Sequence, residues 1–183
     1  MAPPKTYVSA DRFLSDSWKL ASMVRKSGWK PDVLLALWRG GAGVGIAVHE
    51  FFKVTGWGGV RHYPLKCASY SGICENSSDV VFTLGAETFA LISPGERVLV
   101  VDDVLDTGKT AATLMSCIAG LGAEARIATV YRKPSSNTSR IEADYCTRDL
   151  GDDWIVFPHE IEGLTKDEVF AKDPELAKLL EVR

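Results

Sequence analysis

Apolar residues along this chain fall into two alternating rhythms. Phe13, Leu14, Trp18, Ala21 and Val24 recur at helical spacing and Gly28 follows as a stop, which predicts an amphipathic helix over residues 10–27. After Pro31 the run VLLALW (33–38) is continuously apolar and of strand length, the pattern of a strand covered on both faces. Arg39-Gly40-Gly41 breaks that run before an apolar helix at 42–54, and a strand is predicted at 59–66. The Ser- and Gly-rich stretch 68–78 reads as a loop, and DVVFTL (79–84) as a short strand. Gly95 precedes the strand RVLVVDD, and Ala111, Leu114, Ile118 and Leu121 mark a helix closing near Gly122. ARIATVY (125–131) and WIVF (154–157) are further strands. Near the end, Thr165 and Glu168 fit a capping box, and Asp173-Pro174 fits an N-cap followed by proline at the first helical position. Strands alternating with helices predict one α/β domain over 1–183: an open, mainly parallel twisted sheet with helices on both faces.

Composition narrows the partners. The chain has 183 residues, of which 46% are hydrophobic and 25% charged, with a formal net charge of −3. That balance fits one ordinary globular domain and speaks against a general nucleic-acid or membrane-surface binder. No apolar run approaches the roughly 18 residues of a membrane span. The start MAPPKTYVSADRF has neither the basic nor the apolar region of a secretory signal. Cys67, Cys74, Cys117 and Cys146 show no C-x-x-C pairing. Free thiols and a cytoplasmic location are therefore expected.

The chemistry concentrates in VVDDVLDTGKT (100–110), where a buried strand runs into three aspartates and a Thr-Gly-Lys-Thr turn. Gly108-Lys109-Thr110 is the ending of a P-loop, but the glycine required five residues earlier is Asp103, whose carboxylate would repel a triphosphate. A phospho-receiver site would need an acceptor aspartate after a later apolar strand, and RIEADYCTRD around Asp144 offers no such strand. A third reading uses every residue. Ligands of open α/β sheets sit beyond the carboxyl ends of the strands. There Asp102 and Asp103 can accept the hydroxyls of a vicinal diol, and the turn Asp106–Thr110 opens a helix N-terminus that favours an anion. Diol and phosphate recognised side by side make a ribose 5-phosphate seat.

VLVVDDVLDTGKTA resembles the phosphoribosyl-pyrophosphate (PRPP) signature of the type I phosphoribosyltransferases, in the form seen in the hypoxanthine–guanine and xanthine–guanine enzymes. The resemblance covers roughly residues 33–160. It implies that fold, with a small hood covering the base. Arg39-Gly40-Gly41 resembles the pyrophosphate loop, and the Trp38–Arg39 peptide bond is then expected to be cis. Ser69-Tyr70 resembles the dipeptide of the flexible closing loop. Lys133 takes the place of the lysine that reads a purine's 6-oxo group, and Trp154-Ile155 that of the element stacking on the ring. Related enzymes commonly read W-I-x-x-P-W-[DE], whereas WIVFPHE has His159 at the second tryptophan, a departure that bears on base preference.

The implied reaction moves the 5-phosphoribosyl group of PRPP to a purine, with hypoxanthine, guanine and xanthine unranked, and releases pyrophosphate. The resemblance implies a Mg2+ cofactor at Asp102 and Asp103, 5-phosphate at Asp106, Thr107, Gly108, Lys109 and Thr110, and Asp106 as general base. A homo-oligomer, dimer or tetramer, is also expected. Bland alternatives stand beside these roles. Arg39-Gly40-Gly41 alone would be an ordinary strand-to-helix turn, Arg132 could point inward in place of Lys133, and Trp154 could be core. A PRPP- or nucleotide-sensing regulator, and a transferase for a pyrimidine or another acceptor, remain open functional readings.

Overall fold

A computed structural model describes residues 4–68, 81–82 and 85–180. The main sheet has six strands: β2 (Val33–Trp38), β3 (Arg61–Ala68), β4 (Val81–Phe82), β5 (Arg97–Leu105), β6 (Glu124–Arg132) and β7 (Tyr145–Asp149). Their order is β4-β3-β2-β5-β6-β7, all pairs parallel except the antiparallel edge strand β4. The alternation along β2 and β5 explains the burial on both faces. Leu34, Ala36, Leu99 and Val101 join one apolar cluster, while Val33, Leu35, Val98 and Val100 join the other. Helices α1 (Ala10–Lys26) and α2 (Gly40–Phe52) cover the first cluster through Leu20, Val24, Val44 and Val48. Helix α4 (Lys109–Gly120) covers the second through Leu114 and Ile118. A short α3 (Gly85–Phe89) precedes β5.

A second, two-stranded sheet pairs β1 (Lys5–Tyr7) in parallel with β8 (Trp154–Val156), placing Lys5 opposite Trp154. With the turn after Val156, this ribbon forms the small hood expected beside the strand ends. Helices α5 (Lys166–Lys172) and α6 (Pro174–Leu180) close the chain. The capping box of Thr165 and Glu168 is present, and Asp173 Oδ1 accepts from the Glu175 and Leu176 amides as N-cap of α6. No described helix is long and apolar enough to cross a membrane.

Three of the differences from the sequence expectation bear on how the core is held. β1 is only three residues long and exists through its partner, so no periodicity announces it. β7 reads YCTRD, an edge strand whose outer residues are exposed; its Ile127 neighbour is held instead by the side chain of Asp144, which accepts that amide at 2.8 Å. On α1, Leu14 and Trp18 are exposed and the buried face carries Asp16 and Ser17. Asp16 is 2% exposed yet accepts from Arg12 Nε at 2.6 Å, Lys19 Nζ at 2.8 Å and Tyr131 Oη at 3.1 Å. A buried carboxylate with three donors is satisfied, and it fastens α1 to β6.

Candidate active site

The carboxyl ends of β2, β5 and β6 and the hood enclose a cavity of about 840 Å³. Its acidic wall is Asp102, Asp103 and Asp106; Arg39 and Gly40 border it from α2, and Thr110 from α4. Five helix starts can be compared for capping. Ser9 caps α1, Thr165 caps α5 and Asp173 caps α6 through side-chain oxygens. The starts of α2 and α4 have no side-chain cap. These two helices open on the cavity, so their first amides and their positive dipole ends are available to an anion. One cavity thus offers two anion seats on either side of a pair of carboxylates.

The glycines show how tightly this end is built. A Cβ on Gly40 would lie 1.8 Å from Asp103 Oδ2, and one on Gly41 would lie 2.6 Å from the Val101 carbonyl oxygen. Helix α2 can therefore begin against the acidic strand end only with glycine at both positions. The Trp38–Arg39 peptide bond is cis, as the resemblance implied. Arg39 is highly exposed and pairs with Glu162 of the hood at 3.3 Å.

Gly108 is packed by the protein itself. Its φ of +74° requires glycine, but the space a Cβ would fill belongs to protein: Ser139 Oγ lies at 2.1 Å and Asn137 Oδ1 at 2.9 Å. The loop after Lys133 folds over the turn, with the Thr138 and Ser139 amides donating to the Thr107 carbonyl at 3.1 and 3.2 Å. The close approach at Gly108 is thus to loop 134–141. That loop was missed in the sequence; its only signal was the run Ser-Ser-Asn-Thr-Ser, which reads as a turn.

Burial, and then the neighbouring charge of Asp103, push the Asp102 carboxyl well above the usual carboxylate range; burial raises Asp103 as well. Asp102 Oδ1 accepts the Asp103 amide at 2.9 Å and Asp103 Oδ1 the Val104 amide at 2.8 Å. Adjacent carboxylates of this kind, one buried and one partly exposed, are a favourable setting for a hard dication. The described residues contain no cluster of three or more ligating side chains, so the protein would supply two carboxylates and substrate or water the rest.

At the opposite wall the structure shows which side chains turn towards the cavity. Lys133 is 8% exposed, lines the cavity and places Nζ 3.5 Å from Asp106 Oδ2. Arg132 turns outward to Asp149 and Glu142. Trp154 is not core: 40% of it is exposed and it lines the cavity, while Ile155 is buried behind it. His159 also lines the cavity and stacks on Phe157, with ring planes 11° apart. Glu160 and Glu162 of the hood, which the sequence did not single out, border the same space. Ser69 and Tyr70 lie outside the described residues.

The phosphoribosyl transferase domain model matches residues 5–163. The chain belongs to the phosphoribosyltransferase family. A purine phosphoribosyltransferase from Pyrococcus horikoshii Ot3 has a similar structure, with 27% identity, a TM-score of 0.67 and coverage of 88% of this chain and 97% of that one. A hypoxanthine-guanine phosphoribosyltransferase of Lactococcus lactis subsp. lactis (strain IL1403) is 29% identical over 89 residues, 49% of this chain. The alignment takes in 47% of that enzyme, so this phosphoribosyltransferase spans about half the length of that curated relative. A hypothetical protein from Neisseria gonorrhoeae with bound ppGpp shares the fold over 99% of both chains, with a TM-score of 0.74 at 19% identity. The fold and the purine-enzyme likeness inferred from the signature are thereby shown.

Proposed function

We propose that this phosphoribosyltransferase transfers the 5-phosphoribosyl group of PRPP to a 6-oxopurine, releasing pyrophosphate, as a salvage reaction. The observation that carries the reading is the pair of uncapped helix starts flanking Asp102 and Asp103, with buried Lys133 and exposed Trp154 across the same cavity.

In this reading the start of α2, with Arg39, holds the pyrophosphate of PRPP, and the start of α4 with Thr107 and Thr110 holds its 5-phosphate. Asp102 and Asp103 orient the ribose hydroxyls. The purine lies on Trp154 and receives a hydrogen bond from Lys133 at its 6-oxo oxygen. The bond between sugar C1 and pyrophosphate oxygen breaks, a bond between C1 and a purine nitrogen forms, and Asp106 takes the proton from that nitrogen. Mg2+ bound with PRPP at Asp102 and Asp103 would neutralise charge on the departing pyrophosphate. Hood and strand ends together exclude water from the cationic sugar.

The full-length likeness to a protein with bound ppGpp favours a second reading, a guanine-nucleotide sensor. Such a ligand carries a purine with a 6-oxo group and two pyrophosphates, which could use the same lysine and helix starts. Pyrophosphate release with PRPP, Mg2+ and a panel of bases separates the two. Release with hypoxanthine, guanine or xanthine supports the transferase. Tight ppGpp binding with no release for any base would replace it with the sensor.

A further inference from the structure

The family match ends at Gly163, three residues before α5 begins at Lys166. Yet α5 reaches back to the hood at both of its ends. Near its start, Glu168 completes the capping box and also accepts from Lys5 Nζ, with both carboxylate oxygens at 2.8 Å. The same ammonium donates to the Gly163 carbonyl at 3.3 Å and stands over the Trp154 ring, 5.1 Å from its centroid. Lys5 is paired with Trp154 across β1 and β8, and the Trp154 amide donates to the Pro4 carbonyl at 2.8 Å. The far edge of the indole rests on Gly163, where an added Cβ would come within 2.4 Å of Cη2. Backbone, ammonium and glycine therefore hold the ring while it still borders the cavity. Lys5 itself does not line that cavity.

At its other end α5 carries Lys172. Its Nζ donates to the Phe157 carbonyl at 2.6 Å and to the Glu160 carbonyl. Those carbonyls bracket His159, and the Glu160 carboxylate closes the same turn by accepting the Phe157 amide at 3.1 Å. One seven-residue helix thus holds the stacking ring through Lys5 and the turn beside it through Lys172.

We propose that Lys5 and Lys172 are positioning residues for the base: through α5 they fix the height and tilt of Trp154 and of the Phe157–Glu160 turn over the purine. The inference rests on the reading that a 6-oxopurine stacks on Trp154. It makes α5 part of the acceptor site without touching the acceptor. In that reading PRPP sits at the helix starts, which neither Lys5 nor Lys172 touches; the hood meets that wall through the exposed Arg39–Glu162 pair at 3.3 Å, so the brace acts first on the base.

The test compares Lys5→Met and Lys172→Met with the unmodified chain, and with Lys5→Arg as the charge-preserving variant. Lys5→Met is expected to raise the Michaelis constant for the base about 5–10-fold, the scale of one partly buried ion pair with a cation–π contact. The constant for PRPP should be unchanged, and Lys5→Arg should restore most of the loss. Equal rises for base and PRPP, or no rise for either, would overturn the proposal. A second readout does not depend on turnover. Subtracting the fluorescence of the Trp154→Phe partner isolates the Trp154 signal in each background, and acrylamide should quench it more in Lys5→Met. Should the unmodified chain turn over no base at all, the transferase reading fails by itself. Quenching then decides the brace: greater quenching retains it, and unchanged quenching removes it. If Lys172→Met does not fold, the Lys5 pair decides alone.

Discussion

Replacing Gly108 with alanine tests whether this glycine serves the ligand or the protein's own loop. The left-handed φ of +74° is unfavourable for alanine by about 1–2 kcal/mol. The new Cβ would also sit 2.1 Å from Ser139 Oγ and 2.9 Å from Asn137 Oδ1, and forcing such a contact typically adds about 1–3 kcal/mol. Together these predict a loss of roughly 2–5 kcal/mol, with Tm falling about 2–4 °C for each of them in a chain of this size. Ser139→Ala removes the nearest clashing atom and, with it, the bonds to Asn137 Oδ1 at 3.0 Å and from the Ile141 amide at 3.2 Å. Alone it should cost about 0.5–1.5 kcal/mol. In Gly108→Ala/Ser139→Ala the losses should not add: the double variant should be about 1–2 kcal/mol more stable than their sum, a coupling expected of residues in contact. Urea unfolding of the four proteins measures the cycle, and the Michaelis constant for PRPP should partly recover in the double variant. Additivity within about 0.5 kcal/mol would refute the loop argument. An unrecovered PRPP constant would return Gly108 to the phosphate.

Lys133→Met should raise the Michaelis constant for hypoxanthine about 10–100-fold, since a hydrogen bond from a charged group contributes about 1.5–3 kcal/mol, and should leave PRPP little changed; steady-state kinetics with both substrates decides. Asp106→Asn should lower turnover about 10²-fold or more with PRPP binding retained, whereas equal loss of both would mark a binding role. Gly40→Ala would drive its Cβ into the buried Asp103 carboxylate, so half-maximal activity should require more Mg2+; an unaltered Mg2+ titration would contradict that packing. Burial acts to raise the Asp16 carboxyl, but its bonds from Lys19, Arg12 and Tyr131 outweigh burial and hold it below the usual range. Its contribution to stability is therefore full above about pH 4 and lost as pH falls through the lowered value. Asp16→Asn should be less stable than the unmodified protein at pH 7, with the gap in urea midpoints closing in acid. Burial, followed by the charge of Asp16, pushes the Tyr131 hydroxyl up to about 12, so stability from that neutral hydroxyl should persist to about pH 10 and decline as pH rises towards 12.

The centre of the main sheet was legible because its strands are buried on both faces: VLLALW and the VLVV of β5 have no polar position to blur their length. The same holds for Asp102, Asp103 and the turn to Thr110, where local spacing encodes local geometry. What stayed hidden depends on chain segments far apart in sequence. β1 is defined only by its pairing with β8, 149 residues on at Lys5 and Trp154. The contact of Gly108 with Ser139 joins two loops that no short-range pattern connects. Lys133 and Arg132 are adjacent basic residues, and only the carboxylates of Asp149, at the end of β7, and Glu142, in the loop before it, show which one turns away. Asp16, a charge on the buried face of α1, contradicts simple amphipathicity because its partner is a tyrosine on β6.

The open helix starts also act as a ruler. α2 continues β2 and α4 follows β5, and those strands are hydrogen-bonded neighbours in fixed register from Val33 and Val98 to Ala36 and Val101. Adjacent strands lie about 4.8 Å apart, a spacing set by the backbone and indifferent to side chains. With Gly41 against the Val101 carbonyl, α2 has no room to slide towards β5. The gap between the two anion seats is therefore a property of the sheet itself. On the proposed reading, a sugar whose anionic groups are separated differently would meet one seat and miss the other.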